Sequence, residues 1–174
     1  MRAFVVMLAA VVVACSPTSG NQATRVAGGG HVRDVAGIMS AGAENRVDAK
    51  LAKLEATTKD QVAVVTVVNL AGQPIERFSL DYARRWGLGQ KYLDNGVLVL
   101  IAPKEHKMRI EVGTGLEGLL TDERAAEIVR KMTIPFKGGN YDAGIELGVG
   151  EIDQLLMSDR ERPQPKLQPM RKAA

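Results

Sequence analysis

The chain has 174 residues, 45% of them apolar and 25% charged, which is enough for one domain with its own core and too ordinary for a disordered or fibrous protein. Its formal charge of +3 is misleading: Arg2 and the tail from residue 158 carry the excess, and residues 15–157 hold 17 basic against 18 acidic side chains. A near-neutral folded part excludes the basic footprint of a nucleic-acid binder.

Met1-Arg2 is followed by AFVVMLAAVVVA (3–14), an uncharged run of twelve residues. A membrane-spanning helix needs ~20 such residues. A positive start, an apolar middle and a small residue before position 15 instead form a secretory signal peptide over residues 1–14. VVAC (12–15) resembles a bacterial lipobox, in which the cysteine becomes the lipid-bearing first residue. Cys15 is the only cysteine. It can form no internal disulfide, and lipidation accounts for a lone thiol on an exported chain. The alternative is cleavage after Ala14 that leaves the thiol unmodified. More than one acyl chain on Cys15 would anchor the protein stably to a membrane. By resemblance to lipoprotein sorting rules, Ser16 in place of an aspartate points to the outer membrane, facing the periplasm. Residues 15–31 are small and polar and read as a flexible tether.

The domain is expected over residues 32–157. VRDVAGIMS (32–40) is a short extended piece ending in Ser40, a helix N-cap. Val47, Leu51 and Leu54 recur at helical spacing and predict a helix over 41–58. QVAVVTVV (61–68) is apolar and β-branched, the pattern of a strand buried on both faces. Pro74 opens a second helix whose stripe is Ile75, Phe78, Tyr82 and Trp86, ended by Gly87 and Gly89. GVLVLIA (96–102) is a second buried strand. PKEHK is a turn, and MRIEV (108–112) alternates as a half-exposed strand antiparallel to its predecessor. Thr121 caps a third helix that is expected to stop before Pro135. A fourth runs over 141–157, with Gly144 and Gly148 spaced for close packing on the sheet. Residues 158–174 read as a disordered tail. The two buried strands, joined by a helix, should be parallel with a right-handed crossover. Helices on both faces of a small mixed sheet make a three-layer α/β/α sandwich.

RIEVGTGLEGLLTDERA (109–125) contains G-x-G-x-x-G at Gly113, Gly115 and Gly118, the written form of a dinucleotide fingerprint. Its context excludes that use. The preceding strand alternates with charges, and the helix starts after the last glycine. Glu117, Asp122 and Glu123 would repel a phosphate, and no strand follows the helix. The hairpin instead brings the bend beside YLDNG (92–96). Asp94, Asn95 and Asp122, with exposed backbone carbonyls, then offer hard oxygen ligands suited to Ca²⁺ or Mg²⁺. The competing reading is a common Asx-Gly turn beside a charged helix start. Arg85 and Lys91 are candidate electrostatic helpers. Trp86 is a candidate ligand platform or a core residue, and His31 and His106 fall in a tether and a turn. Asp34 could approach the acidic site or cap a local turn. No Ser-His-Asp or Cys-His arrangement is supported.

Several segments in order resemble the TPM domain family over residues 32–156: VRDVAGIMS, LEATTKDQVAVVTVVNLAGQPIE, ARRWGLGQKYLDNGVLVLIA, MRIEVGTGLEGLLTDERA and IPFKGGNYDAGI. IMS departs from the leucine that the family often places before the serine, and many relatives continue into a transmembrane helix. The resemblance implies an α/β/α sandwich on the outer side of a membrane, with divalent-cation binding in some members. A plant thylakoid relative is associated with photosystem II repair and acid phosphatase activity. Carried over by motif, the implied site is Asp94, Asn95, Glu117 and Asp122, with Asp34, Gly113 and Gly115 in the site loops. The expected function is a lipid-anchored, cation-binding, non-catalytic module serving envelope membrane-protein complexes. The alternative is a metal-assisted acid phosphatase.

Overall fold

A computed structural model of the chain describes residues 30–158. The signal peptide, Cys15, nearly all of the tether and the tail beyond Ser158 lie outside those residues. The two apolar runs form the centre of the sheet, as β-branched stretches without a polar break should. With β1 at Val32–Asp34, they are β2 (Gln61–Thr66) and β3 (Gly96–Ala102), buried at every position. β4 is Lys107–Val112, and a short 3-10 turn, Pro103–Glu105, links it to β3. The order is β1-β2-β3-β4, with β1, β2 and β3 parallel and β4 antiparallel to β3.

Alternate strand residues divide the interior into two cores. Val62, Val64, Val97, Val99 and Ile101 face α1 (Ala41–Thr58), α3 (Asp122–Lys137) and α4 (Tyr141–Ser158). Ala63, Val65, Leu98, Leu100 and Ala102 face α2 (Ile75–Trp86) alone. The sandwich therefore has three helices on one face and one on the other. The strands step in one direction from β1 to β3, yet α1 and α2 cover opposite faces. The two crossovers are of opposite hand, so one of them departs from the right-handed rule that the sequence suggested for β2 to β3.

Several expectations are corrected. The extended piece at residue 32 is a strand in the sheet, pairing Val32–Asp34 with Val64–Thr66. β2 ends at Thr66 rather than residue 68, because Val68 has turned out to solvent. α3 continues through Pro135 to Lys137. Pro135 forfeits only its own bond to the carbonyl four residues back, and so near the helix end that loss is tolerated. The chain then turns at Gly139, whose φ is +75°, with Asn140 N–H donating to the Pro135 carbonyl.

Gly144 and Gly148 pack on α3, not on the sheet. A Cβ at Gly144 would strike the Phe136 ring and come within 3.0 Å of the Met132 carbonyl oxygen, and one at Gly148 would lie 2.8 Å from Met132 Cγ. His31 is not loose tether. Its backbone N–H donates to Asp48, its Nε2 lies 2.7 Å from Glu55 Oε2, and its carbonyl accepts from Val64 N–H. α1 and α4 are joined at their starts: Ser40 caps α1 and donates through both N–H and Oγ to the Asp142 carboxylate. Those two bonds hold the Asp142 carboxyl below its ordinary range.

Candidate functional site

The Asp-Asn turn and the glycine bend meet on one rim. β3 begins where β4 ends, and antiparallel pairing sets Val97 opposite Val112. Beyond that pair, Gly113 N–H donates to the Gly96 carbonyl at 2.7 Å, and Gly115 N–H donates to the Asp94 carbonyl at 3.2 Å. The bare Cα atoms are what allow this approach. A Cβ at Gly113 would overlap the Asp94 carbonyl oxygen and lie 2.8 Å from its carbon, and one at Gly115 would do the same to Leu93, 3.1 Å from the carbon. A third backbone segment joins from behind, since a Cβ on Gly96 would lie 2.8 Å from the Leu88 carbonyl. Nothing lies within 4 Å of a Cβ at Gly118. The glycine pattern thus serves backbone-to-backbone packing at its first two positions, and its third glycine has no part in it.

Beside this interlock is a cleft of about 690 Å³ between the end of α2, residues 87–91 and the glycine bend. Asp94 and Glu117 both line it. Asp94 is exposed, with φ +47°, and its Oδ2 accepts from Thr114 Oγ1 at 3.3 Å. Arg84 and Lys91 line the cleft as well, so it carries both signs of charge. Glu111, which sequence reasoning passed over, is a further lining carboxylate, held by Ser79 Oγ at 2.8 Å and Arg109 Nε at 2.7 Å. The alternation of MRIEV contained the signal: Arg109 and Glu111 are two apart and share a face.

The other predicted site residues lie elsewhere. Asn95 is 6% exposed and turned inward. Its Oδ1 accepts from Gln90 N–H at 2.8 Å, and its Nδ2 donates to the Lys59 carbonyl at 2.9 Å and Asp60 Oδ1 at 3.1 Å. This amide ties the rim to the end of α1. Asp122 is the first residue of α3 and is not among the residues lining the cleft. Asp34 is at the opposite end of the sheet, paired in register with Thr66, and its carboxylate accepts from Thr66 Oγ1 and Met39 N–H. Arg85 also stays outside the cleft, its Nε donating to the Asp81 carbonyl. Trp86 packs edge-on against Tyr82 with ring centroids 5.5 Å apart, so it belongs to the smaller core.

The donor chemistry of the cleft is that of a hard cation. Asp94 and Glu117 are carboxylates, Thr114 supplies a hydroxyl, and among the described residues no histidine or cysteine lines it. Among the described residues, no group of three or more His, Cys, Asp or Glu is gathered to hold a metal ion. Asp94 and Glu117 are the residues that could hold Ca²⁺ or Mg²⁺, Glu111 being held by Ser79 and Arg109.

A family model described as the TPM domain matches residues 32–155. Among solved structures, the N-terminal domain of a protein from P. gingivalis is 33% identical, with a TM-score of 0.69, over 74% of this chain and 82% of that one. The N-terminal domain of the cg2496 protein from Corynebacterium glutamicum is 17% identical, with a TM-score of 0.61, over 95% of this chain and 99% of that one. The BA42 protein from the psychrophilic bacterium Bizionia argentinensis is 18% identical, with a TM-score of 0.60, over 69% of this chain and 82% of that one. The last two likenesses concern the fold alone. The first two structures are of isolated N-terminal domains, so this fold stands without further sequence in those proteins. A comparison with curated proteins found no match.

Proposed function

The chain belongs to the TPM domain family, and from that premise we propose that it is a cation-dependent, non-catalytic recognition module of a bacterial envelope, serving membrane-protein complexes. The observation that carries this reading is the shared rim, where the backbone interlock of Asp94, Gly113 and Gly115 opens on the Asp94–Glu117 cleft. Asp94 and Glu117 would hold Ca²⁺ or Mg²⁺ with help from Thr114, and Asn95 would fix the turn from beneath without touching the ion. A bound cation would neutralise the acidic side of the cleft and offer open positions to an oxygen ligand of a partner. Arg84 and Lys91, on the same cleft, would then favour an acidic partner surface. The non-catalytic form is preferred because, among the described residues, Thr114 is the only hydroxyl lining the cleft and no imidazole or thiol accompanies it. Envelope placement rests on the leader and Cys15, by which the lipid would hold the domain at the outer membrane.

The test is calorimetric titration of residues 30–158 with Ca²⁺ and with Mg²⁺, paired with melting curves. That fragment contains the two cores formed by the described residues and the whole of the family match over 32–155. Saturable binding is expected in the wild type and lost in the Asp94→Ala, Glu117→Gln double variant. If neither ion gives heat or a melting shift at millimolar concentration, the cation reading is refuted.

A further inference from the structure

A second cavity lies at the other end of the sheet and has no part in the cation reading. It is a partly open groove of about 650 Å³, within the range of small-molecule sites. Ile101 and Ala102, the last residues of β3, line it together with Met108, Val129 and Phe136. These positions come from β3, β4 and α3, so the apolar lining is assembled by the fold and not by one loop. Ile134 stands 74% exposed on α3, next to the lining residue Thr133.

The charges at this cavity are one-sided. Lys107, Lys137 and His106 line it against one carboxylate, Glu76. Among the described residues, neither lysine has an ion-pair or hydrogen-bond partner, whereas Lys131 on the same helix is bonded to Glu151 and paired with Glu127. The neighbouring acid, Glu105, accepts from the Leu70 N–H through Oε1 and is not among the residues lining the cavity. Two unneutralised ammonium groups beside an apolar hollow have the composition of a site for a molecule with an apolar body and an anionic head.

We propose that this groove binds a small amphipathic carboxylate, with the apolar chain against Met108, Val129 and Phe136 and the carboxylate at Lys107 and Lys137. The lysines contribute as exposed partners, each worth under about 1 kcal/mol, so the apolar contact carries most of the binding and the head sets the sign of charge accepted.

The test uses nitrogen-15-labelled residues 30–158, titrated with decanoate and with decyltrimethylammonium below their micelle concentrations. Decanoate should shift amides of the β3–β4 turn, the start of α2 and the second half of α3, following a saturable one-site curve. Lys107→Gln with Lys137→Gln should weaken it about tenfold, the sum of two exposed ion pairs. Thr133→Trp, which fills the groove from its wall, should abolish the shifts while the remaining spectrum stays folded. Equal binding of the cationic probe, shifts centred on the Asp94 cleft, or no saturable shift would each overturn the proposal. Because the readout lies at the end of the sheet away from Asp94, its result is independent of whether a cation binds there.

Discussion

Replacing Gly113 by alanine tests the backbone interlock directly. The new Cβ would overlap the Asp94 carbonyl oxygen and lie 2.8 Å from its carbon and 3.1 Å from Gly96 N. All three are main-chain atoms, which cannot swing away as a side-chain end would, so the two segments must part. Parting them weakens the Gly113 N–H bond to Gly96 O at 2.7 Å and the Gly115 N–H bond to Asp94 O at 3.2 Å. Two such bonds contribute about 1 kcal/mol each. Overpacking adds about 1–3 kcal/mol, and the smaller entropy of the unfolded alanine chain returns about 0.5–1 kcal/mol. The net expectation is a loss of about 3 kcal/mol, or ~10 °C in melting temperature for a domain of this size. Urea denaturation of residues 30–158 followed by circular dichroism measures it. Gly115→Ala should behave alike, whereas Gly118→Ala, with nothing within 4 Å of its Cβ, should stay within about 0.5 kcal/mol of wild type. Equal effects at all three glycines would refute the reasoning, because they would show the motif acting as a unit.

Asn95→Leu should cost about 1–3 kcal/mol in urea denaturation, since at a site 6% exposed it strands Gln90 N–H and removes one of the two donors to the Lys59 carbonyl, the other being Gln90 Nε2. Asp142→Asn should cost about 1 kcal/mol at neutral pH, a figure discounted for partial exposure. Its folded carboxyl titrates below the unfolded value of about 3.9, first through the Ser40 side-chain bond, so its contribution is present above that pH and lost as pH falls through the folded value. The difference between wild type and variant should shrink on acidification below pH ~4, as melting curves at stepped pH would reveal. Gly148→Leu should destabilise by more than about 2 kcal/mol, because its side chain must displace Met132 between α3 and α4. A melting temperature at or above wild type would contradict the close helix contact.

The parts of the fold legible in the sequence are those where one short stretch carries its own signal. GVLVLIA is a strand over the residues expected, and Ser40 and Thr121 cap the helices they were expected to cap. β1 was read only as extended, because its three residues lie on an edge and alternate in exposure, leaving too short a pattern to mark a strand. Pro135 misled because its local bias against helix is outweighed by packing of the residues around it, Met132 and Phe136, on α4. At the site, the meeting of turn and bend followed from hairpin geometry. The inward role of Asn95 did not, since its partners Lys59 and Asp60 lie some 35 positions away and no local pattern announces them.

The attachment of His31 has a mechanical consequence. A pull along β1 from residue 30 first meets the imidazole and main-chain bonds to Asp48 and Glu55 on α1, and only then the ladder joining β1 to β2. β1 runs parallel to β2, so such a force acts lengthwise and strains the ladder bonds together instead of peeling them one at a time. The strand through which a lipid tether would tug is therefore arranged to resist shear, and the load passes into the helix layer before it reaches the sheet's far edge at β4.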